Sequence, residues 1–260
     1  MTPFKVTVLG SGTSQGIPVI ACECKVCTSL DVKDNRLRCS VLLSFNGENV
    51  AIDAGPDFRQ QMLRAKVMTL SAVVFTHEHK DHVAGLDDVR AFNYLEKRDM
   101  PVFCDYRVEK ALHREYHYVF SENRYPGIPQ LLLNRIENKP FEVIKGLVLH
   151  PVEVMHYKLP VFGYRVGDFA YITDAKTVVP EEIEKLKGVK TLIVNALRRE
   201  EHISHFNLDQ ALAFISEVKP EIAYLTHISH VFGTHEEIEA ELPANVRVAY
   251  DGLVLDACIE

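Results

Sequence analysis

The sequence lacks several features that mark common protein classes. No apolar run approaches the ~18 residues of a membrane-spanning helix, so no membrane segment is expected. The start, Met1-Thr2-Pro3-Phe4, runs straight into a strand-like segment. It has no charged stretch followed by a long apolar one, so no signal peptide is expected. There is no long basic run, and the formal net charge is −7. A dedicated nucleic-acid binder usually shows a basic face, so a stable nucleic-acid complex is not expected. An enzyme that touches a few phosphates is still compatible with that balance. No internal repeat, low-complexity linker or composition break divides the 260 residues. A single domain over 1–260 is the simplest organisation, and 47% apolar residues suffice for a sizeable core. The six cysteines are Cys22, Cys24, Cys27, Cys39, Cys104 and Cys258. Three are crowded and three scattered, unlike a secreted disulfide framework, so a reducing, cytoplasmic location is expected.

What is present centres on Thr76–His82. Three histidines and a carboxylate fall in six residues, His77-x-His79-x-Asp81-His82, directly after the apolar run Leu70–Phe75. That run reads as a buried strand. In an extended segment i and i+2 point the same way, so His77 and His79 can face one point. A helix starting near Asp81 would turn Asp81 and His82 toward a second point. Imidazole with carboxylate suits zinc, manganese or iron(II).

Other segments carry weaker signals. Lys5–Leu9 reads as a strand, followed by Gly10, Gly12 and Gly16. That spacing misses the dinucleotide pattern by one residue, and no Gly-Lys-Ser/Thr follows. A loop of small residues passing close to a ligand is the reading adopted. Cys22-x-Cys24-x2-Cys27 looks like three ligands of a tetrahedral zinc without a visible fourth. Residues 39–45 and 49–53 read as a hairpin around Asn46-Gly47. Asp53, at the end of that hairpin, suits either a helix cap or a partner for a metal-bound histidine. Helices are expected from Pro56 to Ala65, Gly85 to Glu96 and 106–120, and a short strand over Pro101–Cys104. An irregular stretch is expected over 121–140. Four later apolar runs follow, three of them ending in a candidate ligand: His156, Asp174 and His227. Such residues would line one edge of a sheet, where α/β proteins bind ligands. One helix is expected between Pro180 and Gly188. Another is capped by Asn207 and Gln210, with His205 just ahead of its N-terminus. His202 reads as solvated. Residues 246–255 read as a closing hairpin around Asp251-Gly252.

The strand-end Asp53 with Gly55, the His77-x-His79-x-Asp81-His82 signature, His156, Asp174 and His227, in this order, resemble the metallo-β-lactamase superfamily. The resemblance implies an α/β fold, a four-layer αβ/βα sandwich of two mixed sheets with helices outside. It implies two divalent ions, zinc or manganese, at the shared edge. His77, His79 and His156 would hold one ion, Asp81, His82 and His227 the other, and Asp174 would bridge. A hydroxide shared by the ions would attack the substrate, with Asp53 orienting a ligand histidine. Within the superfamily, Cys22, Cys24, Cys27 and His230 resemble the structural zinc site of the cyclic-phosphate phosphodiesterases of the carbon–phosphorus lyase (phosphonate) pathway. His205 matches that group's catalytic histidine. The implied function is hydrolysis of a small phosphodiester, a cyclic ribosyl one included. A hydrolase of lactones or thioesters, or a tRNA 3′-processing ribonuclease, is the alternative, although no basic arm for tRNA is evident. A homodimer is left open.

Overall fold

Strand residues sort alternately into two layers of core, as a period of two requires. The structure, a computed structural model, describes residues 2–122 and 125–259. Asn123 and Arg124, within the stretch expected to be irregular, lie outside the described residues, as do Met1 and Glu260. Strands β1 (Thr2–Gly10), β2 (Ser40–Phe45), β3 (Glu48–Ile52), β4 (Ala72–Val74), β5 (Met100–Cys104) and β6 (Leu131–Arg135) form a first sheet. Strands β7 (Phe141–Ile144), β8 (Leu147–His156), β9 (Leu159–Val166), β10 (Phe169–Ile172), β11 (Thr191–Asn195), β12 (Ile222–Thr226) and β13 (Val246–Val248) form a second. The chain then returns to the first sheet as β14 (Val254–Ile259), giving the orders β14-β1-β2-β3-β4-β5-β6 and β13-β12-β11-β10-β9-β8-β7.

Val41 and Leu43 of β2, with Val50, Ile52 and Val74, join Tyr164, Tyr171 and Ile193 in a core between the sheets. The intervening Leu42, with Val73 and Val102, turns outward to Phe58, Leu86 and Leu112. These belong to the helical layer over the first sheet, which contains α1 (Phe58–Arg64), α2 (Lys80–Val83), α3 (Arg90–Glu96), α4 (Tyr106–Glu115) and α5 (His117–Phe120). On the second sheet, Leu192, Val194 and Leu225 face outward to Phe214, Ile215 and Ile238. They meet a layer holding α6 (Pro180–Glu184), α7 (Leu208–Val218) and α8 (His235–Glu239). The result is the expected four-layer αβ/βα sandwich. No helix among the described residues is long and apolar enough to cross a membrane.

Both sheets are mixed. Strands β3 to β6 are mutually parallel, and so are β10 to β13. Parallel neighbours finish on one edge, so the residues after β3, β4, β10 and β12 collect there. Three local expectations are corrected. Residues 246–255 are no hairpin: β13 pairs with β12 and β14 with β1, in opposite sheets. The Asp251-Gly252 turn is real, but each following strand completes the edge of a different sheet. The helix over 106–120 breaks at Tyr116, whose hydroxyl donates to the Val83 carbonyl at 2.7 Å. The stretch 121–140 contains β6, whose alternation is weak because it lies at a sheet edge.

Glycines 55 and 85 lock the His77–His82 segment onto the end of β3. A Cβ on Gly55 would lie 1.9 Å from the Asp81 carbonyl oxygen, and one on Gly85 1.9 Å from the Gly55 carbonyl oxygen. The Ala54 amide donates to the His82 carbonyl and the Gly85 amide to the Ala54 carbonyl, both at 2.8 Å. Gly85→Ala is therefore expected to lower unfolding free energy by about 2 kcal/mol or more, read by denaturant titration. An unchanged midpoint would contradict this backbone lock.

Candidate metal centre and active site

Three of the strand-end residues take a left-handed backbone: Asp53 at φ 68°, Asp174 at φ 59° and His227 at φ 59°. Each turns the chain sharply out of its strand, so the side chain faces the shared edge instead of continuing the pleat. For non-glycine residues this conformation costs on the order of 1–3 kcal/mol, and such strain concentrates at functional sites.

Asp53 is fully buried. One carboxylate oxygen accepts from the Thr76 amide at 2.9 Å, and the other meets His82 Nδ1 at 2.7 Å. The Thr76 hydroxyl lies between Asp53 Oδ2 at 2.9 Å and His77 Nδ1 at 3.0 Å. Asp53 is therefore a histidine partner; Asp57 holds the N-cap position of α1 without a capping bond, its carboxylate being paired with Arg38. His82 Nε2 then faces Asp81 Oδ2 at 3.3 Å and Asp174 Oδ2 at 3.4 Å. His227 Nδ1 is 3.5 Å from Asp174 Oδ2, and His205 Nδ1 is 3.7 Å from Asp174 Oδ1. His156 is oriented by a 2.8 Å contact from Nδ1 to the Ser204 carbonyl.

The donor atoms of His77, His79 and His156 all lie within 4.8 Å of one another. The same holds for His77, His82 and Asp174, and for His156, Asp174 and His205. Asp81 and His227 stand outside these close groups and reach them through His82 and Asp174.

Burial would depress His82, but the carboxylates of Asp53, Asp81 and Asp174 outweigh it and hold its pKa well above the usual range. Burial, reinforced by His82, drives His77 well below that range. Burial also takes His205 down to about 2, with His227 adding to the effect. Asp174 falls well below the ordinary carboxylate range: His227 and His82 overcome the opposing effect of burial.

These residues fit divalent metal. His77 Nε2, His82 Nε2, His205 Nδ1 and His227 Nδ1 are buried without a hydrogen-bond partner. Orphaned buried nitrogens of this kind are costly unless something completes them. The buried carboxylates of Asp53 and Asp174, with the half-buried Asp81, likewise call for positive charge.

A second cluster lies in the loop before β2. His230 Nδ1 is 3.3 Å from Cys22 Sγ, 3.5 Å from Cys24 Sγ and 3.6 Å from Cys27 Sγ. Tetrahedral zinc, with bonds of about 2.3 Å to sulfur and about 2.0 Å to nitrogen, places such atoms about 3.5 Å apart, so this set fits as well. The Cys27 amide lowers the Cys24 thiol to about 6, helped by His230, while burial raises Cys27 to about 11. None of the six cysteines is in a disulfide. The glycine loop also finds its explanation. Its glycines let it pack on backbone: a Cβ on Gly10 would lie 1.9 Å from the Arg38 carbonyl oxygen, while Thr13, Ser14 and Gln15 of the same loop line a cavity beside His205.

The sequence pattern assigns no role to Thr76, Ser204 or Arg198, and it places His202 in solvent. His202 is in fact half-buried, its ring 5.1 Å from that of His205 and tilted by 29°. Only its spacing of three from His205 could have signalled this.

Comparison with known proteins now places the chain. A beta-lactamase superfamily domain profile matches residues 48–228. The chain belongs to the metallo-β-lactamase superfamily. A crystal structure described as a new diphosphatase from the PhnP family superposes with a TM-score of 0.92 at 38% identity, covering 98% of this chain and 97% of that one. The zinc-bound PqqB of Methylobacterium extorquens shares the fold, with a TM-score of 0.80 at 19% identity, covering 97% of this chain and 100% of that one. A Porphyromonas gingivalis protein named octanoyltransferase is 42% identical over 253 residues, 96% of this chain and 51% of that protein. The chain thus spans about half the length of the curated relatives it matches.

If metal completes the orphaned nitrogens, its removal must cost stability. Exhaustive chelation is expected to lower the melting temperature by several degrees, with recovery on adding back zinc or manganese. Calorimetric melting before and after chelation checks this; an unchanged melt would mean that the histidines are satisfied without metal.

Proposed function

We propose that this chain hydrolyses a small phosphodiester, a diphosphate ester included. The observation that carries the reading is the position of His205. Its ring lies 4.5 Å from that of His156 and 4.7 Å from that of His227, beside Asp174. The likeness to the PhnP-family diphosphatase supports it. In this reading His77, His79 and His156 hold one divalent ion, Asp81, His82 and His227 hold a second, and Asp174 serves both. Two such ions lower the pKa of water and neutralise phosphoryl oxygens. Asp53 fixes the tautomer of His82 by accepting from Nδ1, which leaves Nε2 free as a ligand. Ser204 does the same for His156 through its carbonyl. Thr76 ties His77 to Asp53, so one buried carboxylate orients two ligands. His205 donates a hydrogen bond to a phosphoryl oxygen as charge develops there.

His205→Ala is expected to retain both ions, read by metal analysis, while kcat for bis(p-nitrophenyl) phosphate falls ~10²–10⁴-fold. Undiminished turnover would reject the role of His205. Lack of any turnover by the native protein with zinc, manganese or iron(II) would reject phosphodiester chemistry.

We assign the structural zinc to Cys22, Cys24, Cys27 and His230. It would tie the loop at 22–27 to the segment just after His227, thereby steadying an active-site ligand. The Lys25–Glu237 ion pair at 2.6 Å joins the same loop to α8. Cys24→Ser is expected to lose one zinc per chain and to lower melting temperature and activity together. Normal zinc content with a normal melt would remove the assignment.

A second reading has its own observation. A cavity of about 550 Å³ beside His79 and His156 is lined by Tyr157, Leu159 and the exposed Ile203. Such an apolar lip suits an acyl chain, and one relative is named octanoyltransferase. Hydrolysis of an octanoyl thioester, assayed beside the phosphodiester, discriminates between the two readings.

A further inference from the structure

Three histidines at the metal edge are oriented by a neighbour: His82 by Asp53, His156 by the Ser204 carbonyl and His77 by Thr76. Asp174 needs the same control, because it faces both halves of that edge. Its Oδ2 lies 3.4 Å from His82 Nε2 and 3.5 Å from His227 Nδ1. Its Oδ1 lies 3.7 Å from His205 Nδ1, in the group that also holds His156. The two oxygens of a carboxylate are chemically alike, and the last torsion of an aspartate has only broad, weak preferences. Nothing intrinsic to Asp174 therefore keeps one oxygen on each side.

Thr173 supplies that constraint. It directly follows β10 and is fully buried, and its hydroxyl donates to Asp174 Oδ2 at 2.6 Å. A hydroxyl-to-carboxylate bond of this length is charge-assisted and roughly twice as strong as a neutral one. Breaking it would leave a buried hydroxyl unsatisfied, which is costly.

The backbone around Asp174 is held separately. Asn195, which ends the fourth apolar run of the sequence, is fully buried at the end of β11. Its Oδ1 accepts from the Ala175 amide at 2.7 Å, and its Nδ2 donates to the Ala175 carbonyl at 3.0 Å. The same carbonyl accepts from the Phe206 amide at 2.7 Å, next to His205. One clamp thus serves both the left-handed turn at Asp174 and the His205 segment. Removing the Thr173 hydroxyl frees the carboxylate and leaves this clamp in place.

We propose that Thr173 is a positioning residue for Asp174: its hydroxyl fixes the rotation of the carboxylate, so that one oxygen serves each half of the metal edge. The inference rests on the two-ion reading and deepens it, by naming the group that keeps both halves supplied. Without that hydroxyl, Asp174 is free to give both oxygens to one ion at the expense of the other.

The test titrates manganese(II) into protein that keeps its Cys3His zinc and has been stripped of metal at the edge. Three thiolates favour zinc, so that cluster stays out of the count. Electron paramagnetic resonance counts the bound ions and shows by their magnetic coupling whether two are adjacent. The native protein is expected to bind two coupled ions. Thr173→Ala is expected to keep one and to raise the dissociation constant of the second ~10–100-fold, with loss of the coupled signal. Thr173→Ser, which retains the hydroxyl without the methyl group, is expected to recover the second ion and the coupling. Thr173→Val, which keeps the volume without the hydroxyl, is expected to behave as Thr173→Ala does. The readout is metal binding, so it does not depend on which ester is hydrolysed.

An unchanged affinity for the second ion in Thr173→Ala, or a Thr173→Ser variant no better than Thr173→Ala, overturns the role of Thr173 and leaves the two-ion reading standing. A native protein that does not bind two coupled ions overturns the two-ion reading, and the inference falls with it.

Discussion

A single buried carboxylate organises this protein. Asp53, in a left-handed turn at the end of β3, accepts from the Thr76 amide and hydroxyl and from His82 Nδ1. Burial raises its pKa above the ordinary carboxylate range, and His82 and the Thr76 donors offset that only in part. Without Asp53 the start of the His-rich segment and the ring at its end would both lose their anchor. The cost of burying such a charge is offset only where every lone pair is used, so the surrounding geometry has little freedom to shift.

The two sheets extend this constraint outward. Because β3 and β4 are parallel, Asp53 and Thr76 leave the first sheet side by side. Because β10 to β12 are parallel, Asp174 and His227 leave the second sheet on its matching edge. The core between the sheets, with Tyr164 and Tyr171 at its centre, sets how closely the two edges approach. Tyr164 also donates to the Phe75 carbonyl at 2.6 Å, one residue before the motif begins. Packing and ligand placement are therefore one problem: a void in that core would move histidines.

Around the metal edge the chemistry divides. Left-handed turns and orphaned nitrogens define the centre. A Cys3His cluster, an apolar lip beside His79 and His156, and a cavity that includes His202 and His205 adjoin it. The superfamily accommodates different substrates at one edge, so those flanks, and not the metal ligands, carry the distinction between a phosphodiester and an acyl ester.

How much of this was legible in the sequence differs from residue to residue. His77, His79, Asp81 and His82 declared themselves, because a metal site needs several donors and short spacing leaves a visible pattern. The knot of Cys22, Cys24 and Cys27 did so too. Single residues at strand ends, such as His156, Asp174 and His227, took meaning only in the company of that motif and of the resemblance it supported. The edge strand β6 and the divergence of β13 from β14 were not legible, because neither depends on local propensity: each is decided by which sheet edge remains to be completed. Nor was the role of Asp53 settled, since cap and histidine partner make the same demand of a sequence, a carboxylate at a strand end. The 2.7 Å contact to His82 decides it. His202 read as a solvated residue and Arg198 carried no signal; only the tertiary packing of their loop against His205 half-buries them. Residue types and their spacing specify which donors are available and where the strands end. The tertiary structure decided which donors share a point in space, because that depends on the distance between two sheets whose strands lie far apart along the chain.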